Sequence, residues 1–289
     1  TPLYSSAASD VYKRQADQDA RTVGSETITS EEVRKAMKDM KPNSAPGIDG
    51  LPLEAFRLHK QVTSDMLARL FTAMGTTGHT PAEFHMGAIT FLFKKGAKND
   101  PANYRPITLL NTDYRILTRI LAKRLGPVMS KVVGREQSAF MPGRRIGEAV
   151  WLLQLLPHLL RLQWREAAVC FMDFKKAYDT VSRPFLFKAM ETMGAGAGML
   201  KWVKMLLGDT QAVAMVNGYK SDPKEFMAGV RQGCPLSPLL YIFVAQALLS
   251  WLQKNKHGIQ VTTGPDASDE AATLTAVQYA DDCSALLKS

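Results

Sequence analysis

Three aspartates of this chain lie at the ends of apolar segments, where their carboxylates could act together. Asp173 lies near the end of the apolar run Ala167–Phe174, while Asp281 and Asp282 follow the run Thr273–Tyr279. Each run is typical of a β-strand, and the first has the unbroken apolar character of a buried one. If the two strands are neighbours in one sheet, the three carboxylates converge at one point.

Converging carboxylates repel one another and need a cation, because a charge at the end of a buried strand is costly when it is unpaired. Ligand sets made only of oxygen favour Mg²⁺ over zinc. Two Mg²⁺ ions about 3.5–4 Å apart are the usual arrangement for in-line phosphoryl transfer. Taken singly, an Asp-Asp pair is more often a turn, and a lone Asp is more often a cap or turn residue. The prediction of a metal site therefore depends on the combination.

Basic charge is concentrated in one segment, residues 91–145, which accounts for the whole net charge of +9. It contains three acidic residues and twelve basic ones, namely Lys94, Lys95, Lys98, Arg105, Arg115, Arg119, Lys123, Arg124, Lys131, Arg135, Arg144 and Arg145. Such a field suits a polyanion such as a nucleic-acid backbone or a triphosphate. A solvated basic face is the alternative, and charge alone does not decide between the two.

The elements that must position these residues alternate between helices and strands. Apolar periodicity and capping signals predict helices over residues 29–40, 52–74, 111–128, 146–162 and 236–252. Strands are predicted at residues 86–93, 167–174 and 273–279, and Asn217-Gly218 indicates a hairpin turn within residues 211–230. Strands separated by helices, with some strands adjacent, indicate an α+β fold.

Neither a membrane span nor a secretion signal is evident in the sequence. The most apolar stretch, Ala149–Leu160, is shorter than the roughly 20 residues that a membrane span needs. The N-terminus lacks the basic-then-apolar pattern of a signal peptide, so we expect an intracellular protein. The first residues are small, polar and without periodicity, and residues 1–25 are predicted to be a disordered or artefactual tail.

Several motifs together resemble the reverse transcriptases of LINE-type (non-LTR) retrotransposons. Residues 171–181 (FMDFKKAYDTV), 229–238 (GVRQGCPLSP) and 279–282 (YADD) resemble motifs A, B and C of that family. Residues 44–50 (SAPGIDG), 103–110 (NYRPITLL) and 136–140 (EQSAF) resemble upstream segments in the family's order. Motif B, the NYRPI stretch and the long segment before motif A resemble LINE-type elements more than retroviral enzymes. Group II intron-type reverse transcriptases remain the alternative.

The resemblance implies a role for individual residues. Asp173, Asp281 and Asp282 would be the catalytic carboxylates and, with the backbone carbonyl of Phe174, would hold two Mg²⁺ or, in their place, Mn²⁺. Tyr178 falls at the steric-gate position, under the sugar of the incoming nucleotide. The remaining nucleotide-binding residues would be Gln232 and Gly233 in the pocket and, against the triphosphate, Arg105 with Lys94 or Lys95. Asp179 is interpreted as structural.

The same resemblance implies a right-hand polymerase, with fingers at residues 26–165 and an incomplete palm at residues 166–289. The expected reaction is RNA-directed DNA synthesis from an RNA template, a DNA primer and a dNTP. The thumb, the primer grip and an endonuclease would lie elsewhere in a parent polyprotein, so this chain alone is expected to polymerise little. An inactive nucleic-acid-binding fragment is the rival interpretation. The family's setting would be the nucleus and a cytoplasmic ribonucleoprotein.

Overall fold

A computed structural model describes residues 23–163, 165–255, 258–262 and 271–288. Its helices are α1 Ser30–Asp39, α2 Leu53–Leu58, α3 Lys60–Thr77, α4 Thr112–Val132, α5 Ile146–Leu162, α6 Arg183–Thr192, α7 Ala197–Leu207 and α8 Ser237–Lys254, with a 3-10 turn at Pro101–Asn103. Its strands are β1 Met86–Phe93, β2 Tyr104–Leu110, β3 Ala167–Met172, β4 Gln211–Val216, β5 Tyr219–Lys220, β6 Lys224–Glu225, β7 Ile259–Thr262, β8 Ala271–Leu274, β9 Ala276–Tyr279 and β10 Asp282–Lys288. The mixture of helices and mostly antiparallel strands fits an α+β fold.

Local signals in the sequence account for several of these elements. The predicted capping box is present, since Thr29 Oγ1 accepts from the Glu32 amide and the Glu32 carboxylate accepts from the Thr29 amide. Strand β1 and helix α5 begin and end at the predicted residues. Asn217 and Gly218 both have positive φ, at 51° and 84°, as a two-residue turn between β4 and β5 requires. These predictions are confirmed.

The larger sheet contains strands from two segments that are about 100 residues apart in the sequence. Its order is β2-β1-β4-β5, with β6 also paired to β4. Strands β1 and β2 are antiparallel, but β1 and β4 are parallel, with Met86 paired with Gln211. This sheet therefore joins strands from both sides of the predicted boundary between fingers (residues 26–165) and palm (residues 166–289).

A smaller sheet, in the order β3-β10-β9, carries the three aspartates. Strand β3 is antiparallel to β10, which in turn is antiparallel to β9. The prediction that β3 is buried is wrong: most of its residues are exposed, including Val169 and Phe171, and Phe171 is 76% exposed. The reason is topological, because β3 is an edge strand of this sheet. An apolar run has the same sequence pattern in an edge strand as in a central one.

Most buried side chains form one large core. It runs from Ile28 in the segment before α1 to Ala245 in α8, and it includes Tyr114, Leu117 and Leu121 of α4. Two smaller clusters lie around the β3-β10-β9 sheet, one of them with α5. Helix α4 is thus central, and its apolar face packs inward as its periodicity predicts.

Some predicted boundaries change. The helix expected at residues 52–74 is broken at His59, whose φ of −119° and ψ of 57° lie outside the helical region, so α2 and α3 are separate. The strand expected at residues 273–279 is divided into β8 and β9. Most of the predicted tail lies outside the described residues, but Gly24 is buried and the Ser25 carbonyl accepts from Arg124 and Trp202. Gly24 and Ser25 therefore belong to the folded part of the chain, contrary to the predicted bounds of the tail.

No helix within the described ranges is long and apolar enough to cross a membrane.

Candidate functional site

The three aspartates lie at one end of the smaller sheet. Met172 is paired with Cys283, so the next residues toward the strand ends, Asp173 and Asp282, lie side by side. Asp282 is also paired with Tyr279, which leaves Ala280 and Asp281 as a two-residue turn between β9 and β10. The partner of β3 is thus the strand that follows the Asp-Asp pair and not the one that precedes it.

Asp173, Asp281 and Asp282 are suited to bind a hard divalent cation by the chemistry of their side chains and by their shared place at one end of the sheet. Their side chains offer only carboxylate oxygens, which suit Mg²⁺ or Mn²⁺. Over the residues that the structure describes, however, no group of three or more His, Cys, Asp or Glu is arranged to hold a metal ion. Convergence of all three carboxylates on a metal therefore stays a prediction.

Tyr178 stacks on a second tyrosine that the sequence did not indicate. The Tyr178 and Tyr241 rings have centroids 5.1 Å apart and an interplanar angle of 12°. Burial, with the nearby Asp281 carboxylate, raises the pKa of Tyr178 to about 12. Burial raises the pKa of Tyr241 further, with added effects of the Asp281 and Asp173 charges. Both phenols therefore stay neutral, and both lie within electrostatic reach of the carboxylate end of the sheet.

A cavity of about 200 Å³ adjoins the tyrosine pair. Phe174, Lys175 and Tyr241 contribute to its lining. Of the residues predicted to contact the nucleotide, Phe174 is the one that lines this cavity; Arg105, Tyr178, Gln232 and Gly233 do not. The cavity lies between the turn after β3 and helix α8.

The loop that carries Gln232 and Gly233 connects the larger sheet to the Tyr178 turn. On one side, the Thr108 amide donates to the Gln232 carbonyl at 3.2 Å. On the other, the Val230 amide donates to the Tyr178 carbonyl at 2.8 Å. Gly233 has a φ of +103°, and a Cβ there would lie 2.5 Å from the Thr108 carbonyl oxygen. Only glycine fits this close approach without a shift of backbone.

Asp179 has a more direct connection with the candidate pocket than its structural interpretation implied. Its Oδ1 accepts a hydrogen bond from Gln232 Nε2 at 3.0 Å. Because the two residues are 53 positions apart, no local pattern in the sequence could reveal the contact. Asp179 thereby orients a side chain that is predicted to contact the nucleotide.

Arg105, Lys94 and Lys95 lie at the far end of the β1–β2 hairpin and are exposed. Arg105 is paired with Leu92, and the Lys94 amide donates to the Asn103 carbonyl at 2.8 Å, which extends the ladder by one step. Lys98 lies over the Phe93 ring, with its Nζ 5.9 Å from the centroid. The hairpin therefore presents four basic side chains close together in the chain.

The remaining basic residues of the segment 91–145 divide between solvent and the protein itself. Arg124 binds the Glu32 carboxylate and the carbonyls of Ser25 and Thr27, with donor–acceptor distances of 2.6–2.9 Å. Arg144 donates to the carbonyls of Val133, Gly134 and Gln137. Part of the basic excess is thus structural, which neither of the two interpretations of the segment anticipated.

Comparison with known proteins agrees with this arrangement of motifs. The reverse transcriptase (RNA-dependent DNA polymerase) family matches residues 94–289. The chain is 32% identical over 255 residues to the transposon TX1 uncharacterized 149 kDa protein of Xenopus laevis, covering 88% of this chain and 19% of that protein. It is 32% identical over 257 residues to a retrovirus-related Pol polyprotein from the type-1 retrotransposable element R2 of Popillia japonica, covering 88% and 34%.

A third relative is the RNA-directed DNA polymerase from the mobile element jockey of Drosophila melanogaster, 30% identical over 268 residues. The match covers 91% of this chain and 28% of that protein. The chain therefore spans about a third or less of the length of each of these three relatives. From the family match, the named relatives and the order of its motifs, the chain belongs to the reverse transcriptase family, in its LINE-type (non-LTR) branch.

Proposed function

We propose that this chain forms the nucleotidyl-transfer site of an RNA-directed DNA polymerase. The observation that carries the proposal is the pairing of Met172 with Cys283, because it aligns Asp173 with Asp282 and sets Asp281 in the adjoining turn. The reaction would join a primer 3′-hydroxyl to the α-phosphorus of a dNTP and release pyrophosphate. Template RNA and primer DNA are proposed partners, on the strength of the family and of the basic hairpin.

In this proposal the protein contributes positioning and charge more than covalent chemistry, as phosphoryl transfer requires. Asp173, Asp281 and Asp282 would hold two divalent cations, with the Phe174 carbonyl as a further ligand. Such ions, when bound, neutralise charge that develops on the transferring phosphoryl group. Tyr178 would lie under the sugar, and Gln232, oriented by Asp179, would line the pocket with Gly233.

The register of the β1–β2 hairpin supports a choice between Lys94 and Lys95 as the second residue at the triphosphate. Directly paired residues of an antiparallel ladder share a face, so Arg105 and Leu92 lie on the same face. Lys94 is two positions from Leu92, and side chains alternate along a strand. We therefore propose Lys94 as the partner of Arg105 at the triphosphate. The contact between the Phe93 and Tyr104 rings marks the opposite face.

We also propose that the fingers are built from two separate segments. The pairing of β1 with β4 supports including β4, β5 and β6 with residues 26–165. The palm would then consist of the β3-β10-β9 sheet with α6 and α8, which contact each other.

Primer extension with the full-length parent polyprotein tests the proposed activity. Asp281→Asn should reduce extension on an RNA template by at least about 10²-fold, because the substitution removes a ligand charge at the reacting centre. Binding of the RNA–DNA duplex should be retained. Asp222→Asn, on the exposed loop between β5 and β6, is the matched control and should extend normally. Full extension by the Asp281 variant would contradict the proposal.

A paired substitution tests the choice of lysine. Lys94→Ala should raise the KM for dNTP roughly 10- to 150-fold, as expected for the loss of a charged phosphate contact of about 1.5–3 kcal/mol. Lys95→Ala removes the same charge one residue away and should have a much smaller effect. Equal effects of the two variants would count against an assignment by strand face.

A further inference from the structure

We infer that Gln137 is a positioning residue that holds the turn carrying Asp281. This role rests on the proposed function only in its consequence, which is the binding of a divalent cation by the carboxylates. The contact itself can be tested without any reference to catalysis.

The turn between β9 and β10 has an unfavourable backbone conformation. Ala280 is the first of its two central residues and has a φ of +55°. For a residue with a Cβ, the left-handed region is unfavourable, so the surroundings must hold the chain there. Asp281 is the next residue, and a change at Ala280 would therefore redirect its carboxylate.

A segment after helix α4, residues 134–139, lies along the outer edge of β9. The Gln278 amide donates to the Glu136 carbonyl at 2.8 Å, and the Ser138 amide donates to the Gln278 carbonyl at 3.0 Å. These bonds extend the sheet beyond β9 by one short bridge. A segment distant in sequence is thereby fixed beside the catalytic turn.

The Gln137 side chain connects this segment to the turn. It is fully buried, and its Oε1 accepts from the Ala139 amide at 2.9 Å and from the Ala280 amide at 3.1 Å. One oxygen thus binds its own loop and the residue before Asp281. Without that acceptor, the buried Ala280 amide would be left without a hydrogen-bond partner, which destabilises this conformation of the turn.

The backbone around Gln137 is anchored by other contacts. Arg144 donates to the carbonyls of Gln137 and Val133 at 2.7 and 2.9 Å. The Gly134 amide donates to Gln246 Oε1 at 3.0 Å. Removal of the Gln137 amide group should therefore leave the segment in place and affect mainly the turn.

The neighbouring Gln278 provides a matched control. It is also buried, at 1% exposed, and it belongs to β9, two residues before Ala280. Its side-chain Oε1 and Nε2 have no hydrogen-bond partner among the described residues. Replacing its amide with an apolar group of similar size should remove no bond to the turn.

The experiment compares Gln137→Met and Gln278→Met in the full-length parent polyprotein. Hydrogen exchange of the peptide around residues 278–283 reports the state of the turn, and electron paramagnetic resonance of free Mn²⁺ reports metal binding. For Gln137→Met we expect faster exchange and a Kd for Mn²⁺ raised about 10-fold. This is the lower end of the loss in metal affinity that follows removal of a residue that orients metal ligands. Gln278→Met should match the wild type in both measurements.

Unchanged exchange in Gln137→Met would overturn the inference, as would equal effects of the two substitutions. So would unchanged Mn²⁺ affinity in a protein whose Mn²⁺ binding does depend on Asp281. A different result would contradict the proposed function. If Asp281→Asn binds Mn²⁺ as tightly as the wild type, the proposed metal site is contradicted. The exchange measurement would still decide whether Gln137 holds the turn.

Discussion

At the scale of single residues, the candidate site depends on side chains that support its predicted members. The Tyr178 ring stacks on the Tyr241 ring, and the Gln232 side chain donates a hydrogen bond to the Asp179 carboxylate. Each supporting residue is brought in from a distant part of the chain. The nucleotide-binding roles of Tyr178 and Gln232 are therefore best tested together with these partners.

Selection against ribonucleotides should depend on the tyrosine pair. In the full-length parent, Tyr178→Val should increase incorporation of rNTP relative to dNTP, because a smaller side chain leaves room for a 2′-hydroxyl. Tyr241→Ala should act in the same direction by removing the stacking surface, while Tyr241→Phe retains the ring and should behave as the wild type. The measurement is the ratio of kcat/KM for the two nucleotides. An unchanged ratio in Tyr178→Val would identify that ring as ordinary core.

Loss of the Asp179 carboxylate should weaken nucleotide binding modestly. Asp179→Ala frees the Gln232 side chain, and a single hydrogen bond of about 0.5–1 kcal/mol corresponds to a roughly 2- to 5-fold higher KM for dNTP. Steady-state extension at varied dNTP concentration measures it. Asp222→Ala removes an acid from an exposed loop and should leave the KM unchanged. A Gln232→Ala variant that is insensitive to further mutation of Asp179 would show that the two act as one unit.

At the scale of elements, helix α4 links the N-terminal segment to the core. Its Arg124 binds Glu32 in the first turn of α1, together with two carbonyls of the segment before that helix. Burial by itself raises the pKa of Glu32, but hydrogen bonds from Arg124 and from the Thr29 amide together outweigh it and lower the pKa. A planar guanidinium can reach all of these acceptors, whereas an ammonium group cannot.

Arg124→Lys should therefore lower the free energy of unfolding by about 2 kcal/mol, although the charge is preserved. The adjacent Lys123 forms an ion pair with Asp39 that is nearly half exposed on both sides. Lys123→Gln is thus the control, with an expected loss of roughly 0–1 kcal/mol. Urea denaturation followed by circular dichroism distinguishes them. Equal losses would mean that the fork geometry of Arg124 contributes nothing.

At the scale of the whole molecule, a buried histidine is expected to affect stability, and exposed lysines are expected to affect the proposed binding of nucleic acid. His85 is buried, and its Nε2 lies 2.8 Å from Thr80 Oγ1. Burial, aided by the neighbouring Arg231 cation, lowers the pKa of His85 to about 4. Four exposed cations, by contrast, lie close together at the β1–β2 hairpin, namely Lys94, Lys95, Lys98 and Arg105.

The lowered pKa of His85 predicts acid sensitivity with a defined sign. Between about pH 6.5 and 4 the unfolded chain binds a proton at this site while the native protein does not, so stability falls as the pH falls through that window. The contribution approaches about 3 kcal/mol at its acid end. His85→Gln should show a shallower fall in the urea midpoint, and the exposed His79→Gln should follow the wild type. Parallel curves for all three proteins would rule out this contribution.

Binding of an RNA–DNA duplex should weaken steeply with salt, because Lys–phosphate contacts release counterions. Replacing Lys94, Lys95 and Lys98 with Gln should reduce the slope of log K against log salt by up to about 3 × 0.9. The control replaces three lysines that already form ion pairs with glutamates within the protein, namely Lys35, Lys188 and Lys201. Fluorescence anisotropy at several salt concentrations measures the slope. Equal slopes for the two triple variants would favour the solvated-face interpretation.

The sequence by itself determined the local elements and the identity of the motifs. The bounds of β1 and α5, the capping box at Thr29 and the turn at Asn217-Gly218 follow from apolar periodicity and from residue preferences that act within a few positions. The order of the motifs was sufficient to indicate the reverse transcriptase family, which the comparisons bear out.

Only the tertiary structure decided which elements meet. An apolar run does not specify whether its strand is central or at an edge, so β3 was predicted to be buried and is exposed. The contact from Ala280 to Gln137 spans 143 residues, and the one from Gln232 to Asp179 spans 53. Such contacts depend on the free energy of packing the whole chain, because a pattern of neighbouring residues constrains backbone conformation and burial but not the distant partner.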